Sequence, residues 1–139
     1  MADCVFCRIV AGELPAHRIH EDDDVIAIMD AGHVNPGHTL VIVKRHAETL
    51  MDLDEALAGR AFAAACRIAR ALDRHYRPGG ITVLQANRPA GMQTVPHFHL
   101  HVLPRHEGDG VELTWPAKYP AGDELARHAA EIRQVLGGA

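Results

Sequence analysis

The sequence predicts one α+β domain: an antiparallel sheet of about five strands, one long helix and one C-terminal helix. Three observations carry that reading. A chain of 139 residues holds one hydrophobic core and leaves no room for a second module, so residues 1–139 are expected to form a single domain. Short apolar, β-branched runs alternate with turns rich in Pro, Gly, Asn and Asp. A later stretch changes to the 3.6-residue period of an amphipathic helix.

Taken in order, Cys4 to Glu13 reads as a short turn or helix. His17 to Glu21 and Val25 to Asp30 read as two strands around the acidic turn Glu21-Asp22-Asp23-Asp24, which makes a hairpin. After Asn35-Pro36-Gly37, the run from His38 to Val43 is continuous and β-branched, as a strand covered on both faces should be. Asp52 with Glu55 resembles a capping box, and Leu57, Ala61, Ala64, Ile68 and Leu72 then form one stripe of a helix over about 54–76. Cys66, set among alanines, is expected to pack in the core. Pro78-Gly79-Gly80 stops the helix. Ile81 to Ala86 and His97 to Pro104 supply two more strands, joined by a polar loop long enough to hold a ligand. Leu125, Ala129, Ile132 and Leu136 recur at helical spacing near the C-terminus.

Composition narrows the function. With 14 Lys+Arg against 18 Asp+Glu the formal charge is -4, so no basic excess exists to drive tracking along nucleic acid. No apolar run approaches the length of a membrane span, and Asp3, Cys4 and Cys7 stand where a secretory signal needs basic and then apolar residues. A cytoplasmic protein is expected. Three cysteines, two of them spaced CxxC, fit a reducing compartment better than a disulfide framework.

The unusual number is 11 His. In His97-Phe98-His99-Leu100-His101-Val102-Leu103 imidazoles alternate with apolar groups, so a strand would place three imidazoles on one face. Successive ones lie about 6.6 Å apart along a strand, too spread to converge on one metal but well spaced to line a polyanion. One ring can then act as nucleophile while its neighbours donate hydrogen bonds to phosphoryl oxygens.

Residues 97–103 match the signature His-φ-His-φ-His-φ-φ, with φ apolar, at every position. Together with Cys4-Val5-Phe6-Cys7-Arg8-Ile9, Glu21-Asp22-Asp23, Pro36-Gly37-His38 and Pro104-Arg105, they make the chain resemble the histidine triad (HIT) family over nearly its whole length. The likeness is to the bacterial type related to the Hint and Fhit branches. It implies a nucleotide-binding hydrolase or transferase that cleaves at the α-phosphate of purine nucleotide conjugates, phosphoramidates or acyl adenylates among them, through a nucleotidyl-histidine. By position the nucleophile is His99. His101 would contact the phosphate, Thr94 would assist the leaving group, and His38 and His97 would complete the hydrogen-bonded group. The resemblance places the nucleoside at Asp30 and Ala31, with Phe6, Ile9, Ile19 and Ile28 as candidate walls, and the phosphate oxygens at Asn87 and Gln93. Met92 departs from the pattern, which commonly has Gly before that Gln. Imidazoles and loop amides can stabilise the charge without a catalytic metal. Two alternatives are a dinucleoside polyphosphate hydrolase and a nucleotide-sensing interaction protein with vestigial catalysis.

Cys4 and Cys7 supply half of a tetrahedral zinc site. A redox pair would need a βαβ context that the sequence lacks. The resemblance implies His46 and His97 as the other ligands, with a structural zinc tying the amino terminus to the histidine strand. It also implies a two-fold homodimer. The alanine-rich surface of the long helix (Ala58, Ala61, Ala64, Ala65, Ala69, Ala71) and pairing of the strand 81–86 with its symmetry mate would join two sheets into one of about ten strands.

Overall fold

The computed structural model describes residues 3–138. Its elements are α1 (Val5–Val10), β1 (Arg18–Glu21), β2 (Val25–Met29), β3 (Thr39–Val43), α2 (Glu55–Tyr76), β4 (Gly80–Leu84), β5 (His99–Arg105) and α3 (Gly122–Gly137). The five strands form one antiparallel sheet in the order β1-β2-β3-β5-β4. The expected fold class is therefore the observed one, with strand ends shifted by one or two residues. Among the described residues no helix is long and apolar enough to cross a membrane.

Strand alternation sorts the core into two layers. Val25, Ala27, Val41, Val43, Leu100 and Val102 face α2, whose stripe of Leu57, Ala61, Ala64, Ala65, Ile68 and Leu72 covers them. Ile26, Ile28, Leu40 and Ile42 point the other way and meet Phe6 and Ile9 of α1. Cross-strand pairing then aligns Ile26 with Ile42 and Ile42 with His99; in the next row Ile28 pairs Leu40, and Leu40 pairs His101. The two histidines thus continue two apolar rows on the α1 face of the sheet. Isolated six-residue helices are unstable in water, so α1 depends on this packing.

Several details correct the sequence-based expectations. The long helix is capped by Asp54, whose side chain accepts from Leu57 N–H; Asp52 instead closes a capping box with Thr49 in the preceding 3₁₀ turn. Asp54 wins because it alone precedes the first helical residue. Cys66 is exposed, on the face of α2 turned away from the sheet. Ala61, Ala64 and Ala65 are buried against the chain's own sheet and form no free alanine surface. Ile19 leaves its expected place as a pocket wall because the β1–β2 register shifts between Arg18 and His20. A bulge re-aims the side chain it displaces, and Ile19 borders a groove with Ile68 and Leu72 of α2.

Gly37 turns the chain into β3 at φ +90, and an added Cβ there would stand 2.5 Å from Tyr76 Cε2. Asn35, buried beside it, donates to Pro104 O and to Asp109 Oδ2. Arg105 grips Asp109 through Nε to Oδ2 at 2.7 Å and Nη2 to Oδ1 at 3.1 Å, which closes the turn after β5. Beyond it, α3 buries none of its residues; Leu125, Ile132, Val135 and Leu136 are all exposed.

Candidate active site

On the α1 face of the sheet lies a cavity of about 780 Å³. Phe6, Ile9, Ile28 and Leu40 provide apolar walls, Asp30, Ala31 and Thr94 line its polar side, and His99 and His101 reach it from β5. Eight of the expected site residues therefore share one space: Phe6, Ile9, Ile28, Asp30, Ala31, Thr94, His99 and His101.

The two imidazoles are held in defined proton states. His99 Nδ1 lies 2.7 Å from the carbonyl of His97, so Nδ1 carries the proton and donates it, leaving Nε2 with a lone pair. Phe6 meets the His99 ring edge-on with centroids 5.0 Å apart and restricts its rotation. Burial pushes the His99 pKa below the ordinary value, which keeps the ring neutral at physiological pH.

His101 is ordered from behind. Val34 N–H donates to His38 Nδ1 at 3.2 Å, so the His38 proton sits on Nε2, where it donates to His101 Nδ1 at 2.9 Å. Its remaining nitrogen, Nε2, is then a proton donor. Asp30 Oδ2 stands 3.4 Å from His38 Nε2 and 3.8 Å from His101 Nδ1, while Oδ1 accepts from Gly32 N–H. Asp30, His38 and His101 have metal-like spacing, but the His38 proton fills the space between the ring nitrogens, so the trio is a hydrogen-bond chain. Burial lowers the His38 pKa, and burial followed by the neighbouring His99 and His38 lowers that of His101 to about 4.

His97 stands apart from the expected row. Strand β5 begins at His99, and the His97 side chain is wholly buried against the cysteine pair. Only its carbonyl serves the cavity. Its Nε2–H donates to Val43 O at 2.7 Å, which leaves the Nδ1 lone pair facing Cys4 Sγ at 3.3 Å, Cys7 Sγ at 3.6 Å and His46 Nδ1 at 3.2 Å. Cys7 Sγ is 3.3 Å from His46 Nδ1. A tetrahedral ion with metal–sulfur bonds of about 2.3 Å and metal–nitrogen bonds of about 2.0 Å sets its ligands roughly 3.3 to 3.8 Å apart. These four atoms therefore fit one four-coordinate ion, and all lie within 4.8 Å of one another.

Asn87 and Gln93 do not line the cavity; their amides brace the loop between β4 and β5. Asn87 Oδ1 accepts from Leu50 N–H at 2.7 Å, Gln93 Oε1 accepts from Arg88 N–H at 2.7 Å, and Gln93 Nε2 donates to Glu48 O at 2.6 Å. That bracing holds Met92 in the left-handed region at φ 67 and Arg88 at φ 62 with ψ 165, an extended positive-φ conformation; such backbone costs a non-glycine residue roughly 1–3 kcal/mol. Met92 thus keeps the conformation a glycine would adopt freely, with its side chain in solvent. Sequence reasoning missed His17 and His33, both of which border the cavity. Each lies just outside a strand, where periodicity gives no direction to a side chain.

The family model for the HIT domain matches residues 11–108. The chain is 40% identical to the protein hit of Bacillus subtilis over 114 residues, covering 81% of this chain and 79% of that one. It is 32% identical to the adenosine 5′-monophosphoramidase of Saccharomyces cerevisiae over 138 residues, covering 99% and 85%. Among solved structures, a Streptococcus mutans UA159 protein superposes with a TM-score of 0.93 at 34% identity, over 98% of this chain and 87% of that one. A zinc-bound histidine triad family protein of Mycobacterium smegmatis superposes with a TM-score of 0.76 at 36% identity, over 99% of both chains. The histidine strand, the cavity on its α1 face and these likenesses together show that the chain belongs to the histidine triad (HIT) family.

Proposed function

We propose that this protein hydrolyses or transfers nucleotidyl groups, cleaving purine nucleotide conjugates at the α-phosphate through a nucleotidyl intermediate on His99. The observation that carries the reading is the His99 ring, fixed by the His97 carbonyl with its Nε2 lone pair toward a cavity of nucleotide size. The named activities of the yeast relative and of a 31% identical adenylylsulfatase of Arabidopsis thaliana support it. The apolar walls hold the base, Asp30 accepts from the ribose hydroxyls, and His101 Nε2–H donates to a phosphate oxygen.

For a phosphoramidate, His99 Nε2 attacks phosphorus as the P–N bond breaks. The departing nitrogen keeps the electron pair and takes a proton relayed from solvent through the Thr94 hydroxyl. Water then attacks phosphorus, the P–N bond to His99 breaks, and one proton returns to solvent. His99→Ala is expected to leave nucleotide binding in place and to cut turnover below about one hundredth. Mass spectrometry of a quenched reaction is expected to find the adduct on His99; an adduct elsewhere, or a faster variant, refutes the mechanism.

Cys4, Cys7, His46 and His97 would hold a structural zinc, supported by the donor geometry and by the zinc-bound mycobacterial neighbour. When bound it would cross-link α1 to the start of β5; the His97 carbonyl, main-chain neighbour of that ligand, is what orients His99. Three unpaired cysteines support a reducing compartment such as the cytoplasm. A homodimer is supported by exposed apolar side chains: Phe62 on α2, and Val83 and Leu84 on the edge strand β4. Pairing β4 with its symmetry mate would extend the sheet across both copies.

A further inference from the structure

A second cavity, of about 380 Å³, adjoins the first and shares Val5, Thr94 and Val95 with it. Thr94 thus stands on the divide between the two spaces. Pro96 extends its apolar wall, Cys4 and His46 form its side toward the cysteine–histidine cluster, and the charged residues that border it are Asp3 and Glu48. No Lys or Arg borders it, and neither acid forms an ion pair among the described residues.

We propose that this cavity receives the leaving group of the reaction and that it selects an aliphatic chain ending in a cation, such as an aminoalkyl amine. The inference rests on the nucleotidyl-transfer reading above. In-line displacement puts the departing atom on the side of phosphorus opposite His99 Nε2, and the nucleoside occupies the apolar end of the first cavity. The Thr94 hydroxyl serves the departing nitrogen and also borders the second cavity, so the rest of the leaving group passes Thr94 into that space. Its continuity with the reaction centre assigns the cavity. Its lining then chooses the occupant: Val5, Val95 and Pro96 suit a methylene chain, and Asp3 and Glu48 favour a positive end over a negative one.

Three adenosine 5′-phosphoramidates test this, with the leaving amine 1,5-diaminopentane, hexylamine or 6-aminohexanoate. All three break the same alkyl P–N bond and differ in the charge at the far end. The expected order of kcat/KM is cationic above neutral above anionic, with about two- to fivefold per step, the size of partly exposed charge pairs. The cation-to-anion ratio is expected to shrink in 0.5 M salt, and to fall close to one in the double variant Asp3→Asn, Glu48→Gln. Equal rates for the three compounds, or a ratio that survives both salt and the double variant, overturn the assignment while leaving the His99 reaction intact. No turnover of any of them, with no adduct on His99, overturns the reaction itself and this assignment with it.

Discussion

Acidification is the perturbation to which the ordered imidazoles should respond most directly. His101 titrates at about 4 instead of near 6.5, chiefly because burial penalises its charged form, with His99 and His38 adding to the shift and Asp30 opposing it. Between pH 6.5 and 4 the unfolded chain therefore binds more protons at this residue than the folded chain does. The stability this neutral ring contributes is complete above pH 6.5 and is lost as pH falls toward 4. The whole excursion corresponds to roughly 3 kcal/mol, an upper limit because the side chain keeps 27% exposure. Histidine-ring NMR across pH 3.5 to 8, with urea midpoints at both ends, measures the two quantities independently. Asp30→Asn is expected to lower the His101 midpoint further, since it removes the opposing charge, and His38→Ala is expected to raise it. A His101 midpoint at or above 6.5, or an upward shift in Asp30→Asn, refutes the argument that burial governs this ring.

Other expectations follow from particular contacts. Protein purified without chelator or polyhistidine tag should contain about one zinc per chain, the stoichiometry of a single four-ligand site; a metal-free protein of full stability and activity would count against it. Ala65→Asp should unfold the chain instead of separating subunits, because Ala65 is 3% exposed within the core and an unpaired buried charge costs about 3 kcal/mol or more; circular dichroism decides. Phe62→Asp, at 47% exposure, should leave the fold intact and convert a dimer to the 15.1 kDa chain in light scattering; an unchanged dimer mass would move the interface elsewhere. Gly37→Ala meets both a positive φ and the Tyr76 ring, so its urea midpoint should drop by the equivalent of about 1–3 kcal/mol; a midpoint within error of the original would show that Tyr76 moves away freely.

The sheet, the long helix and the histidine strand are legible in the amino-acid order because each rests on local periodicity: β-branched runs for β2 and β3, one apolar stripe for α2, strict alternation for β5. The resemblance to the family implied the other groupings: Cys4, Cys7, His46 and His97 together, and His99, His101, Thr94 and Asp30 together. Where each of those side chains points, and what it touches, follows only from contacts made in three dimensions. The alternation of residues 97–101 gives three equivalent imidazoles, yet His97 lies before the first ladder pair of β5 and turns to the cysteines, while its carbonyl orients His99. Asn87 and Gln93 have the right chemistry for phosphate, but the loop's strained backbone takes up their amides first. Ile19 was displaced by a register shift that no periodicity announces. The alanines of α2 look like a free surface until the sheet is laid against them. A local pattern records the direction of a side chain only inside a regular element. Outside one, and wherever two elements compete for the same face, the direction is set by contacts between residues far apart in the chain.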